Sequence, residues 1–253
     1  RFQPVGMSFL SFPSFLWWLP SVVGLFNASC WDGTFSEELC CEPVETEGKA
    51  GCWNELYKFE DCCPTWQFSG AYIGVQKHIY DKGLGSALVP FFQSRRARSI
   101  LDLGAGAGWY VQTLRKASLR AGCFDGNRAV REVSQGRCLQ ADLSEEHDLG
   151  QRWDWVMSIE VAEHVPHVFE TTYLNNLERH SCKGIIISWA HPNQAGGGHV
   201  NCKTRKEVQD LFEERGFWHN ASGTSWLRRK AHHWWIQLNI MVFERKFQKS
   251  ECE

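Results

Sequence analysis

The residues placed to do chemistry fall into two sets. The first is the run Gly104-Ala105-Gly106-Ala107-Gly108, which follows a short apolar stretch at 99–103 and precedes a segment with helical spacing. Glycines there let the backbone come close to a bound molecule and let the helix pack near the strand. A dinucleotide loop of the form G-x-G-x-x-G needs glycine at 109, where this chain has Trp109, and a P-loop needs G-K-[ST], which is absent. A pyrophosphate ligand is therefore disfavoured. Asp102 stands just before the loop. Asp125 ends the next predicted strand and could accept hydrogen bonds from both hydroxyls of a ribose. Asp142 ends a third and could meet an adenine amino group.

The second set is Glu160, Glu163 and His164, spaced i, i+3, i+4, together with His199 farther along. If the chain turns helical after Ser158, the first three share one helix face. His199 follows a predicted fifth strand, which returns it to the same end of a sheet. Two carboxylates and two imidazoles could hold Mg2+ or Mn2+ and leave positions for a substrate hydroxyl. A metal-free alternative makes His199 or His191, with Glu163 nearby, the catalytic group, because an unperturbed imidazole titrates at about pH 6.5. Asn201 could hydrogen-bond a substrate.

The elements that must position these groups alternate regularly. Apolar strand patterns fall at 99–103, 121–125, 137–143, 153–161 and 184–189, with amphipathic helical spacing between several of them. Gly136 and Gly216 read as helix stops, and Thr204-x-x-Glu207 reads as a capping box. The runs 225–231 and 234–247 predict a closing hairpin. This alternation predicts an open α/β sheet with helices on both faces, whose ligands sit beyond the carboxyl ends of the strands.

At these residues the sequence resembles a known family. Leu101-Asp102-Leu103-Gly104-Ala105-Gly106-Ala107-Gly108, Asp125 and Ala141-Asp142 resemble the S-adenosylmethionine (SAM) site of class I methyltransferases. The segment Trp153-Asp154-Trp155-Val156-Met157-Ser158-Ile159-Glu160-Val161-Ala162-Glu163-His164-Val165-Pro166 is similar to the same family. The likeness covers about 95–247. It implies a Rossmann-like seven-stranded sheet with an antiparallel last strand. It also implies that Gly104, Gly106 and Gly108 border the methionine moiety, that Asp102 lies near its amino group, and that Asp125 takes the ribose. Glu160, Glu163, His164 and His199 resemble, position by position, the E-x-x-E-H…H metal ligands of small-RNA 2′-O-methyltransferases and ubiquinone-pathway O-methyltransferases. In relatives without metal the Glu160 position packs near SAM. Gly197-Gly198-His199-Val200-Asn201-Cys202, taken with the N-terminus, loosely resembles methyltransferase-like proteins of the secretory route.

The rest of the chain divides the work. No charged residue occurs between Phe2 and Trp31, so 1–29 is expected to be a signal peptide or a membrane anchor. Segment 30–69 holds six of the eleven Cys in two copies of C-W-x8-C-C, which predicts a small disulfide-stapled unit rather than a zinc site. Residues 70–253 form the expected methyltransferase domain. The sequons at Asn27 and Asn220 fit a secretory route. Residues 1–70 carry a net charge of −6 and 71–253 a net +4, while the whole chain is at −2, which excludes a generic polyanion binder. Arg228-Arg229-Lys230 is a basic cluster, but a secretory address argues against RNA. The expectation is a SAM-dependent methyltransferase acting on an oxygen of a small molecule, glycan or exported polypeptide. Membrane contact is expected only if the N-terminal segment stays as an anchor. The alternatives are a catalytically inactive secreted binding protein that uses the Cys-Trp repeat, or a cytoplasmic enzyme.

Overall fold

The structure is a computed structural model that describes residues 79–194, 196–247 and 252. The expectations for 1–29 and 30–69, and for the sequon at Asn27, lie outside the described residues. The described chain runs α1 (Lys82–Ser94), β1 (Ser99–Leu103), α2 (Trp109–Lys116), β2 (Arg120–Asp125), α3 (Val130–Val133), β3 (Leu139–Gln140), β4 (Trp153–Ser158), α4 (Glu170–His180), β5 (Ser181–Ile187), α5 (Arg205–Glu214), β6 (Phe217–His219), α6 (Ala221–Lys230), α7 (Trp234–Asn239) and β7 (Met241–Arg245). Two 3-10 turns, Ala162–His164 and His167–Phe169, follow β4.

The seven strands form one sheet in the order β3-β2-β1-β4-β5-β7-β6. The first five are parallel, and β7 runs antiparallel to both β5 and β6. Strand order reverses between β1 and β4, and that switch opens a crevice at their carboxyl ends. Because side chains alternate along a strand, each strand feeds two cores. Ile100, Trp155, Met157, Ile186 and Val242 pack on one face with α1, α2 and α6. Leu101, Leu103, Val156, Ile185, Ile187 and Phe243 pack on the other with α4 and α5. Both faces are covered, which is why these strands read as continuous apolar runs.

Several predicted boundaries move. The third strand shrinks from 137–143 to Leu139–Gln140, which pairs with Phe124 and Asp125. The fourth ends at Ser158 because Glu160 takes a left-handed φ of 58°. The closing hairpin is replaced. Residues 225–230 lie in α6 and 234–239 in α7, leaving only Met241–Arg245 as a strand beside β6. The helix spacing of Gly223, Thr224 and Leu227 buries one face of α6, and that burial overrides the local strand pattern.

The polar ends of these helices are closed by side chains. Thr204 and Glu207 form the expected capping box on α5. Asp81 is fully buried and accepts from Leu84 N at 2.8 Å and from the backbone N–H groups of His232 and His233 at 2.7 Å. It thereby ties α1 to the α6–α7 link, and the His pair contributes backbone donors there. Asn220 caps α6, accepting from Gly223 N and donating to Glu244, with 5% exposure. That burial removes the second sequon as a glycan acceptor. Two disulfides, Cys123–Cys138 and Cys182–Cys252, join described residues, and Cys202 is a free thiol. Among the described residues no helix is long and apolar enough to cross a membrane.

Candidate active site

The glycine loop is built from the sheet outward. Leu103 ends β1, and Gly104, Gly106 and Gly108 all take positive φ (83°, 51° and 69°). A Cβ at Gly104 would stand 2.3 Å from Val161 Cγ2, and one at Gly108 would stand 2.6 Å from Cys138 Sγ. Only glycine satisfies both the backbone angle and the space. Gly104 N donates to Phe124 O, and Gly106 N donates to Asp125 Oδ2 at 2.7 Å. Asp125 Oδ1 accepts from Asn127 N at 2.8 Å. Asp125 is thus fixed by two backbone donors at the carboxyl end of β2, and each oxygen keeps capacity for a further donor.

Asp102, 1% exposed, has one oxygen, Oδ2, with no hydrogen-bond partner. Burial, with a smaller contribution from the charge of Asp125, pushes its carboxyl up to about 8. Asp142 behaves differently. Its Oδ1 accepts from both the backbone N–H and the hydroxyl of Ser144, closing a local turn just past β3.

On the other side of the crevice, β4 gives way to irregular chain. Ser158 Oγ donates to Leu103 O and accepts from Tyr173 Oη, both at 2.7 Å, which locks the ends of β1 and β4 together. Glu160 then turns left-handed and pairs with Ser188 after β5: its N–H donates to Ser188 Oγ, which donates to Glu160 Oε1 at 2.7 Å. Burial raises the Glu160 carboxyl.

The expected single helix face is therefore not formed, because a left-handed Glu160 breaks the spacing before the short 3-10 turn. Among the described residues, the ligand atoms of Glu163, His164 and His199 lie within 4.8 Å of one another, and Glu160 is not in that group. The structure brings three of the four expected ligands together.

Glu163 is fully buried, and neither carboxylate oxygen has a well-formed hydrogen bond, although its own N–H and that of Ala190 act weakly on the carboxylate. Burial, reinforced by the charge of Glu160, raises its pKa well above the ordinary value of 4.5. His164 Nδ1 meets Gly198 O at 2.9 Å, and His199 Nδ1 meets Gln194 O at 3.3 Å. Each contact has a carbonyl as its only possible acceptor, so Nδ1 carries the proton and Nε2 keeps its lone pair. Burial, then the neighbouring His199, lowers the His164 imidazole to about 4; burial also lowers His199. The two rings meet edge to face at 5.0 Å. Val200 N and Asn201 N both donate to Glu163 O, pinning the 196–201 loop over this group.

His191 is not brought into that cluster. It is exposed, and with Thr204, Arg205, Lys206, Leu238 and Asn239 it lines a separate cleft of about 480 Å3. Asn201 is also turned away from a substrate role, donating to Glu170 from a buried position.

No protein-family model matches the sequence, and no curated protein matches it. Solved structures do resemble the fold. The sugar N-methyltransferase KedS8 from Streptoalloteichus sp. ATCC 53650 superposes with a TM-score of 0.53 at 15% identity, covering 66% of this chain and 88% of that one. SAM-bound CalS10, an amino pentose methyltransferase from Micromonospora echinaspora, superposes with a TM-score of 0.51 at 14% identity, covering 68% and 93%. The chain has the class I methyltransferase fold.

The loop 104–108 follows β1 and Asp125 ends β2, the positions that the strand pattern of the sequence predicts. Sequence reasoning missed Ser188, which fixes Glu160, and Tyr173, which fixes Ser158. It also missed the Cys123–Cys138 disulfide beneath the loop. Only the last had a sequence signal, a cysteine two residues before Asp125.

Proposed function

We propose that this chain transfers a methyl group from SAM to an oxygen of a small molecule, glycan or exported polypeptide. Glu163, His164 and His199 would hold a divalent cation. The observation that carries the metal is Glu163: a fully buried carboxylate without a well-formed hydrogen bond stands beside two imidazoles, with a ring nitrogen of each within 4.8 Å of it. An isolated buried carboxylate is costly, and a cation offsets that cost.

The residues fit SAM on separate grounds. Asp102 leaves a buried oxygen without a partner, which suits the amino group of the methionine moiety. The glycine cradle admits close backbone approach, and Asp125 would take the ribose hydroxyls.

SAM, when bound, supplies an electrophilic methyl carried on a sulfonium. A divalent cation, when bound, lowers the pKa of an acceptor hydroxyl and orients it. Asp125 and the loop amides orient the nucleoside, Asp102 balances the amino group, and the 196–201 loop restricts water over Glu163. Two imidazoles in the ligand set favour Mn2+ over Mg2+. One observation favours a metal-free variant. His199 is only half-buried and neutral, so its Nε2 could accept the hydroxyl proton directly. The two disulfides support an oxidising compartment as the place of work.

Calorimetric titration of SAM into the full chain tests the cofactor reading; saturable binding on the order of micromolar is expected. Titration of Mn2+ alone into wild type and Glu163→Gln tests the metal. Binding lost in the variant supports it, and no binding by wild type leaves the His199 route.

A further inference from the structure

The cofactor loop rests on a covalent cross-link that no part of the proposed chemistry uses. Cys123 lies on β2, directly across the parallel ladder from Asp102 and two residues before Asp125. Its partner Cys138 lies at the end of the excursion that leaves β2 and returns to β3. Both are buried, at 3% and 0% exposure. The Cys138 sulfur fills the space beneath Gly108, where a Cβ would stand only 2.6 Å away. The adjacent Arg137 donates from Nε and Nη2 to Ala107 O, each at 3.2 Å. The segment 137–138 therefore touches two consecutive residues of the loop from below.

Apart from the cross-link and the buried Cys138 side chain, the hold on that segment is modest: Arg115 Nη2 of α2 reaches Arg137 O at 3.5 Å. β3 is two residues long, and both are exposed. Its pairing reaches only Phe124 and Asp125. The Cys138 backbone N–H bonds to Ser134 Oγ at 3.0 Å, a contact within the excursion itself. Separated thiols stand at van der Waals distance, well beyond a covalent bond. In this packed space the extra room must come from Gly108 above or from the 137–138 segment below.

We propose that the Cys123–Cys138 disulfide is a positioning element of the cofactor site, holding Arg137 and the floor of the glycine loop in the geometry that binds SAM. This rests on the SAM reading above. Cleavage by a dithiol breaks one S–S bond and forms two S–H groups; the dithiol gives up two electrons and two protons and closes to its own disulfide. The loop then loses its floor, and cofactor affinity falls while the fold persists.

The test titrates SAM into the full oxidised chain, wild type against Cys123→Ala with Cys138→Ala, with thermal melts in parallel. The reference is Cys182→Ala with Cys252→Ala. That bond joins the amino end of β5, away from the site. A purely structural role for cross-links would lower the melting temperature of both variants and leave Kd alone. The expected result is a Kd at least tenfold weaker in the first variant and within twofold of wild type in the reference. A folded first variant that binds SAM within twofold of wild type overturns the proposal.

Should that variant fail to fold, the native chain is titrated after graded exposure to dithiothreitol, with cleavage scored by peptide mass mapping. Affinity lost in step with 123–138 cleavage supports the proposal. Unchanged affinity on a cleaved bond overturns it, as does a native chain lacking that bond. A wild-type chain that binds no SAM at all sinks the parent reading, an outcome separate from equal binding by wild type and variant.

Discussion

The two sides of the crevice are built on different terms. On the side proposed for the cofactor, Asp102 and Asp125 lie on β1 and β2, Gly104 and Gly106 lie on the turn from β1 to α2, and backbone hydrogen bonds set their positions. On the side proposed for the methyl acceptor, Glu160, Glu163, His164 and His199 lie on irregular chain. Their places depend on contacts between segments far apart in sequence, such as Glu160 with Ser188 and His164 with Gly198. The cofactor side satisfies most of its polar groups internally. The acceptor side buries a carboxylate with none of its oxygens well bonded. A regular scaffold can hold a ligand before it arrives, whereas an unsatisfied cluster marks the place where a ligand completes the structure.

The largest expected effect tests the cofactor side. Asp125→Ala removes the acceptor for Gly106 N and Asn127 N together with the proposed ribose contact. Bonds to a charged acceptor are worth about 1.5–3 kcal/mol each, so SAM affinity should fall by about 100-fold or more. Asp142→Ala sharpens the point, since that carboxylate already serves Ser144. Its loss should weaken SAM by under about fivefold, one modest bond's worth. Calorimetry on both variants checks this, and equal losses would break the distinction between a built site and a local turn.

The next effect sits on the acceptor side and should split function from stability. Glu163→Gln should lower methyl transfer by at least about 10- to 100-fold, the range seen for groups that merely support a metal's ligands, since Glu163 is itself a proposed ligand. The same change should raise the melting temperature of the metal-free chain. The folded pKa of Glu163 lies above its ordinary value of 4.5, so the native state holds more protons than the unfolded state once pH exceeds that value. Wild-type stability therefore falls as pH rises through that range, and Gln has no such slope. The gain should vanish below about pH 4 and grow toward neutrality, as melts from pH 4 to pH 8 would show. A variant less stable than wild type at neutral pH without metal would mean that Glu163 is satisfied after all.

This contrast also governs what the sequence could tell. The loop 104–108, Asp102 and Asp125 were legible because a strand, a glycine turn and a helix follow one another locally, and the residue types alone require the turn. The cluster was legible in composition but not in geometry. Helical spacing from Glu160 to His164 was the natural inference, yet Glu160 is left-handed and only Ala162–His164 forms a turn. What decides that conformation is Ser188, which lies 28 residues away. The C-terminal pattern misled for a related reason: 225–231 can pack as strand or helix, and burial of Leu227 beneath α1 selects helix. Non-local contacts carry this information, and no window of sequence contains them.

The smallest effect asks whether the cofactor side is as self-contained as its backbone suggests. Asp102 has a buried oxygen with no partner and a carboxyl pushed up to about 8. At pH 7 about nine-tenths of it is therefore protonated. An ammonium beside it would favour the carboxylate, so SAM binding should release close to one proton at neutral pH. Affinity should rise by up to about tenfold per pH unit as Asp102 ionises. It should peak near pH 8, where a free α-amine, with an ordinary pKa of about 7.7–8.0, begins to lose its own charge. Asp102→Asn should match wild type near pH 6 and bind roughly tenfold more weakly near pH 8. Titrations in two buffers of different ionisation heat would read the proton directly. No proton release, with a flat pH profile, would place the amino group elsewhere. A profile that rises as described would give the cofactor side its own group completed by ligand, and would narrow the difference between the two halves to a single carboxylate on each.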